Sequence, residues 1–505
     1  MNKIEVNSEG QQEIIKCLDN ELLLPVLIEA GYDVYAPCGG NGTCGKCKVW
    51  VSGEGAVTSC FYPVTQDLAI RLPDKRESKI LVDQHQFTQK VSTLPGDCAN
   101  LSSSPYGVAI DVGTTTMAFY LVDLITGVIS ETRAVGNPQA KYGGDVITRI
   151  NYAVQNEGGL NKLQQVIIKA INEQFDHFVE FIGITHSDLI KVTIAGNTTM
   201  LHLLLAQNPL SIALAPFTPK FVDSQIIDAG KLNLRCHPSA LVETLPCISA
   251  YVGADIVAGL ASIYPDDRHK TYLFMDIGTN GELALITPGR IICCATAAGP
   301  AFEGARITHG CTAMEGAIHA FSENHAKVIG NGKATGICGS GLIDIVAHMV
   351  ENKIIDAEGL LNEDFVVVPK AYAGINEDIV INQSDIREVQ LAKSAIAAGV
   401  KLLLKKAGVD VMDLDAVFLA GGFGNYIDPE SAMKIGLLSL QFKDKINSLG
   451  NTSGTGAFLA LKSSQFAGSI DRVMKTAEHI ELAEEEDFVM EFAMNMMFDP
   501  ELTLI

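Results

Sequence analysis

The sequence predicts an α/β protein in three parts: a small β-rich N-terminal unit over residues 1–82, a polar linker over 83–105, and a two-lobed body over 106–505. Three observations lead there. Four of the twelve cysteines, Cys38, Cys44, Cys47 and Cys60, fall within 23 residues, with glycines crowded among them. From Tyr106 onward, strand-like and helix-like runs alternate, the pattern of α/β folds. The run Val108-Ala-Ile-Asp111-Val-Gly113-Thr114-Thr115-Thr116 is echoed about 165 residues later by Leu273-Phe-Met-Asp276-Ile-Gly278-Thr279-Asn280-Gly281. Each is an apolar strand ending in Asp, a glycine turn and a second strand (Met117–Val122 and Glu282–Ile286), so two similar half-domains, roughly 106–265 and 266–505, are expected to face each other across a cleft.

Size and composition agree with a multidomain globular chain. At 505 residues the chain exceeds what one core supports, and 47% hydrophobic with 19% charged residues is a well-packed balance. The net charge of -22 repels phosphate backbones and anionic lipid, which removes nucleic acid and membrane surfaces as partners. Met1–Glu5 shows no basic stretch leading into an apolar core, and no apolar run is long enough to span a bilayer. A cytoplasmic setting is expected, where clustered thiols read as metal ligands and not as disulfides. Within the N-terminal unit, Asn20–Ala30 reads as a short helix ending at Gly31, and Lys48–Val51 and Leu68–Leu72 read as strands.

The cysteine spacing is C-x5-C-x2-C, with Cys60 following after twelve intervening residues. Four thiolates that hold two irons must converge, three of them from one tightly curled loop. Gly39, Gly40, Gly42 and Gly45 allow that curl and leave backbone N–H groups to donate to cluster sulfurs. Cys60 supplies the fourth ligand from a separate segment. A four-cysteine zinc site usually pairs two C-x2-C hooks, and this sequence has one, so a [2Fe–2S] cluster is the better reading.

No P-loop and no Rossmann glycine fingerprint occurs. The twin hairpins offer another phosphate grip. Turn N–H groups of Gly113, Gly278 and Gly281, with the side chains of Thr114, Thr115, Thr116, Thr279 and Asn280, can cradle phosphate oxygens. Asp111 and Asp276 can hold Mg2+ through its waters, and Glu282 stands beside them as a third acidic candidate. Asn197 and Asp255, each flanked by glycine, are candidates for touching the nucleotide or its metal. Gly421, Gly422 and Phe423 follow an apolar strand and suit close approach to adenosine, and Gly339, Ser340 and Gly341 open a helix over Leu342–Val350. Lys333, Lys393 and Arg306 neighbour these motifs but read as solvated charges.

The ordered series of the Asp111 hairpin, Ala195-Gly196-Asn197-Thr198, the Asp276 hairpin, Ala420-Gly-Gly422 and Gly454-Thr-Gly456 resembles the loops of the actin, heat-shock chaperone and sugar-kinase (ASKHA) superfamily. The match narrows further. Ala36–Cys47, Gly143–Ile150, Ala195–Met200, Val252–Asp255, Asp276–Glu282, Ala297–Ala305, Gly336–Gly341 and Ala420–Asp428 are similar to stretches of the reductive activators of corrinoid enzymes. That resemblance implies a β-grasp [2Fe–2S] ferredoxin-like domain followed by an ASKHA-type ATPase. It also implies ATP-driven reduction of an inactive Co(II) corrinoid to Co(I) by one electron from the cluster. The implied partners are a corrinoid protein of a methyltransferase system and an upstream low-potential donor, with the chain as a homodimer. The loop Cys293–Pro300 is the expected corrinoid-facing segment, with Thr296 as the hydroxyl nearest cobalt. Alternatives are an activator of another low-potential redox enzyme, a small-molecule kinase with an accessory cluster, or a nucleotide-gated chaperone.

Overall fold

The structure is a computed structural model describing residues 1–8, 11–32, 34, 36, 38–40, 42, 45–73, 102–263, 269–278, 280–424 and 426–499. Cys44, Thr279 and the linker over 83–101 lie outside the described residues.

The N-terminal sheet has five strands in the order Gln11–Cys17, Asn2–Ser8, Leu68–Arg71, Lys48–Val51, Gly55–Thr58. Its first and last strands in sequence, Asn2–Ser8 and Leu68–Arg71, pair in parallel with each other at the centre, and the other pairings run antiparallel. Alternate residues Ile4, Val6, Val49, Val51 and Ile70 point inward onto Leu23, Leu24 and Leu27. Those leucines line one face of the helix Leu23–Glu29, which starts three residues later than expected. Asn20 takes φ 68°, and Glu21–Leu22 instead pairs with Pro63–Val64 as a short strand. Pro25 then falls in the first helical turn, where its missing N–H leaves no broken hydrogen bond.

The body contains two six-stranded sheets of matching design. The first runs Ile129–Gly136, Thr116–Asp123, Tyr106–Val112, Leu189–Gly196, Leu241–Thr244, Gln225–Asp228. The second runs Ile446–Gly450, Ala416–Ala420, Tyr272–Ile277, Gly281–Thr287, Arg290–Thr296, Ala477–His479. In both, an antiparallel three-strand meander begins with the Asp-bearing strand, whose other edge takes a parallel strand. Two helices pack between the sheets, Ala254–Ile263 and Thr452–Lys462. They cross closely because of glycine: a Cβ on Gly456 would lie 2.4 Å from the Ala258 carbonyl oxygen, and one on Gly259 2.7 Å from Thr452 Oγ1. A core running from Val108 through Ala258 to Phe274 and Ile291 joins the faces of both sheets.

The N-terminal unit touches both sheets' surroundings. Ile28 packs against the core of the first sheet as well as its own. Among the described residues, no helix is long and apolar enough to cross a membrane.

Candidate functional site

The two Asp-bearing strands end at the same level on either side of the crossing helices. In the first hairpin Gly113 N donates to Thr116 O at 2.9 Å, and in the second Gly278 N donates to Asn280 O at 2.9 Å. A Cβ on Gly113 would stand 2.7 Å from Thr116 O, so this turn accepts only glycine. The hairpins therefore have the tight form expected of them.

Asp111, Asp255, Asp276 and Glu282 converge on the space between the hairpins. Asp276 and Glu282 sit directly opposite each other on adjacent antiparallel strands. Burial raises the Asp276 carboxyl to about 7, with Asp111 adding to the rise. Burial, then Asp276 and Asp111, brings Asp255 to about 7. Glu282 is pushed well above the usual carboxylate range by burial and by Asp255 and Asp276, while a hydrogen bond from Asn280 opposes the rise. Asp111 is raised by burial despite accepting from Ser453 Oγ (2.7 Å) and Asn451 Nδ2 (2.8 Å). All four keep an edge open to the cleft. Four converging carboxylates with raised pKa values fit a divalent cation, which would restore their charged forms. Among the described residues no three acidic, His or Cys side chains come close enough to hold a metal ion directly.

Asn197 joins the first hairpin: its Nδ2 donates to Thr114 Oγ1 at 2.9 Å, and its Oδ1 caps the following helix at Met200 N. Gly253 presses so closely on Asn197 that an added Cβ would lie 2.5 Å from the Asn197 Cα. Gly421 has φ +83°, and a Cβ there would lie 2.4 Å from Asp276 Oδ1, so the glycine turn after Ala416–Ala420 backs onto the second Asp. Around Gly422 there is open space; the Phe423 side chain lies outside what is described. Gly339, Ser340 and Gly341 begin the helix Gly339–Glu351, as the sequence indicates. They are buried against the strand Ala317–Ser322: Ser340 Oγ donates to His319 O at 2.7 Å, and a Cβ on Gly341 would meet Ile318 O at 2.3 Å. Thr296 is buried, and its hydroxyl donates to Gly281 O at 3.0 Å, so as placed it faces inward and is not offered to a partner's cobalt. Lys393 also departs from expectation. It is buried and donates to Asn495 O and Met497 O, clamping the C-terminal segment, and burial lowers its ammonium to about 7.

Sequence reasoning missed five residues that organise the site. Asn451 and Ser453 hold Asp111 from the first turn of the helix Thr452–Lys462. Arg149 is buried, donating to Gly143 O at 2.7 Å and Thr114 O at 2.5 Å. Glu303 accepts from Thr115 Oγ1 at 3.3 Å, which links the second half to the first hairpin. Lys46 reaches out of the cysteine loop, as described below. Arg149 and Glu303 lay inside the resembling stretches, but nothing in their spacing announced a role.

In the cysteine loop Gly39, Gly40, Gly42 and Gly45 all have positive φ, at 64°, 86°, 76° and 61°. A Cβ on Gly40 would come within 3.9 Å of the Cys60 Cβ, and one on Gly42 would overlap the Phe61 ring at 1.8 Å. The loop is thus curled back onto the short turn Ser59–Phe61. Cys47 and Cys60 are buried there, and Ser59 N and Oγ both donate to Cys47 O, at 2.9 and 2.7 Å. Cys38, Cys47 and Cys60 are thus the described members of the expected ligand set; Cys44 is outside the described residues.

Comparison with known proteins places this architecture. The RACo middle region matches residues 106–264, and the C-terminal domain of RACo, the ASKHA domain, matches residues 270–504. The corrinoid activation enzyme RamQ of Eubacterium limosum is 35% identical over 418 residues, covering 78% of this chain and 70% of that protein. The [Co(II) methylated amine-specific corrinoid protein] reductase of Methanosarcina barkeri is 27% identical over 421 residues, covering 76% and 75%. Among solved structures, a reductive activator for a corrinoid, iron-sulfur protein superposes with a TM-score of 0.72 at 28% identity, covering 99% of this chain and 98% of that one. With its two Asp-bearing hairpins across one cleft, the chain belongs to the RACo family of reductive activators of corrinoid proteins.

Proposed function

We propose that this chain uses ATP to return an inactive Co(II) corrinoid protein to Co(I), passing one electron from a [2Fe–2S] cluster held by Cys38, Cys44, Cys47 and Cys60. The observation that carries this reading is that the glycine-rich cysteine loop touches both halves of the body, Gly39 at Tyr142 and Gly143 and Lys46 at Ile307, while Arg149 joins Gly143 to Thr114 of the first hairpin. Residues 1–82 serve as the electron-carrying domain, 83–105 as its tether and 106–505 as the ATPase.

When bound, the cluster supplies electrons one at a time. Thr114, Thr115, Thr116 and Asn280 orient the phosphates on turns that Gly113, Gly278 and Gly281 keep tight, the Gly113 and Gly278 N–H groups being spent on the turns themselves, and Asn197 fixes the Thr114 hydroxyl. Asp111, Asp255, Asp276 and Glu282 would hold a hydrated Mg2+, which would make their ionised forms tenable. Gly421, Gly422 and Phe423 flank the adenosine side. Phosphoryl transfer goes to water and rests on positioning and electrostatics. ATP shifts the electron's destination only by favouring one conformation over another, so the coupling lies in how the two halves turn. The partner is the corrinoid protein of a methyltransferase system, a low-potential donor refills the cluster, and the working unit is a cytoplasmic homodimer.

The test is product-resolved ATP turnover. With Mg2+, cluster-loaded protein should release ADP and phosphate slowly, and faster once a Co(II) corrinoid protein is added. Phosphate appearing on a sugar or acid would replace this reading with that of a kinase.

A further inference from the structure

The cysteine loop straddles the cleft. On one side a Cβ on Gly39 would stand 3.3 Å from Tyr142 O and 3.8 Å from the Gly143 Cα, so the loop lies against the half containing the first sheet. On the other, Lys46, between Cys44 and Cys47, extends its ammonium into a cup of backbone carbonyls belonging to the second half. Lys46 Nζ donates to Ile307 O at 2.8 Å, Thr308 O at 3.3 Å and Gly310 O at 3.3 Å. A cation donating to several carbonyls at once makes a strong, geometrically specific contact.

The cup belongs to a stiff segment. A Cβ on Gly310 would lie 2.1 Å from Gly304 O, Ala305 N donates to Pro300 O, and Cys311 N donates to Ile337 O. Thr308 N and Oγ1 both donate to Asp385 Oδ1, at 2.8 and 3.0 Å, which ties the segment to the start of the long helix Gln383–Ala407. The same segment carries Glu303, whose carboxylate accepts from Thr115 in the first hairpin. One rigid piece of the second half therefore holds the phosphate hairpin at one end and the cysteine loop at the other.

We propose that Lys46 is a latch: it pins the cluster-bearing loop across the cleft and is released when nucleotide phosphates take the Thr115 hydroxyl from Glu303. This rests on the reading that ATP binds the paired hairpins. The direction follows from charge. A polyphosphate that uses Thr115 repels the Glu303 carboxylate, and the segment that moves with Glu303 is the one that carries the Lys46 cup. The cluster unit also rests on the first half through Ile28 and Gly39, a broader contact than one side chain, so the Lys46 contact is the one that gives way. Release frees the face of the loop turned toward the second half for a partner protein to approach.

Linkage supplies the test, because a contact that ATP binding must break opposes ATP binding. Titration calorimetry of the full, cluster-loaded chain with Mg2+ and a non-hydrolysable ATP analogue should show Lys46→Met binding about three- to tenfold more tightly than wild type. Lys46→Arg, which keeps cationic donors, should return close to wild-type affinity; cluster absorbance confirms equal loading. Unchanged or weaker binding by Lys46→Met overturns the latch. Amide exchange on the wild type gives an independent reading: the analogue should speed exchange over residues 38–47 and 305–311, and no change there also overturns it. Failure of the wild type to bind the analogue at all would instead overturn the ATPase reading, and the latch with it.

Discussion

Asp276 and Glu282 face each other across neighbouring strands, with Asp255 and Asp111 close by, so ionising this corner opposes folding and either protons or a cation would relieve it. Asp276→Asn should lower Mg2+-dependent ATP hydrolysis on the order of 100-fold. In chelator at about pH 8, the same variant should be more stable than wild type by about 1 kcal/mol, because an ionised carboxylate is no longer buried. Hydrolysis assays and urea melts check the two halves, and a variant that kept full activity would remove Asp276 from the site. The pH dependence has a definite sign. Asp255 and Asp276 titrate at about 7 in the folded chain, above their usual 3.8, so the protonated forms favour folding. Stability in chelator should therefore fall as pH rises from about 4 to about 7 and level off above. Mg2+ needs the ionised carboxylates, so its stabilisation, read as a Tm gain, should be larger at about pH 8 than at about pH 6. Equal gains at both would contradict the four-carboxylate assignment. Much of this site was legible beforehand because Asp-x-Gly-Thr is a local pattern, in which strand, turn and charge are contiguous. Asn451, Ser453 and Glu303 were not legible, because they reach the hairpins only through tertiary packing over separations of 188 to 342 residues.

Two helices between the sheets set how the halves sit, and glycine sets how closely the helices approach. Gly456→Ala places a methyl group 2.4 Å from the Ala258 carbonyl oxygen, a backbone atom that cannot step aside. The expected loss is about 1–3 kcal/mol, measured by denaturant unfolding. Gly468, within the helix Ser464–Thr476, has open space where its Cβ would be, so Gly468→Ala should stabilise by about 0.5–1 kcal/mol. Similar effects at both positions would mean that the crossing is not as tight as described. Element boundaries were read well where periodicity was strong: Lys48–Val51 is a strand, and the helix expected over Leu342–Val350 runs Gly339–Glu351. They slipped at Asn20–Ala30, where a two-residue strand pairing with Pro63–Val64 claims the first residues of the expected helix. Lys393 misled for a similar reason: a lysine on a long helix is usually solvated, and only the return of the C-terminal segment supplies carbonyls that bury it.

At the scale of the molecule, the repeated hairpin signalled a repeated sheet: five strands of each share one order of antiparallel and parallel pairings, and the sixth strand is added at opposite ends, antiparallel in the first sheet and parallel in the second. What the sequence left open was the seat of the cysteine loop. Its curl follows from four glycines with positive φ, whereas its position between the halves depends on Gly39, Ile28 and Lys46 meeting residues 100 or more positions away. On the proposed function, this position sets an electron carrier against both halves of a nucleotide-binding body, and those contacts are what would tie the two activities together. The most direct measurement mixes purified cluster-loaded protein, a Co(II) corrinoid protein and a low-potential reductant, and follows the visible spectrum before and after adding Mg2+ and ATP. The account predicts that the Co(I) absorbance grows only after ATP is added, and not with Cys60→Ala protein. Co(I) formation at the same rate without ATP, or none with it, would contradict the account.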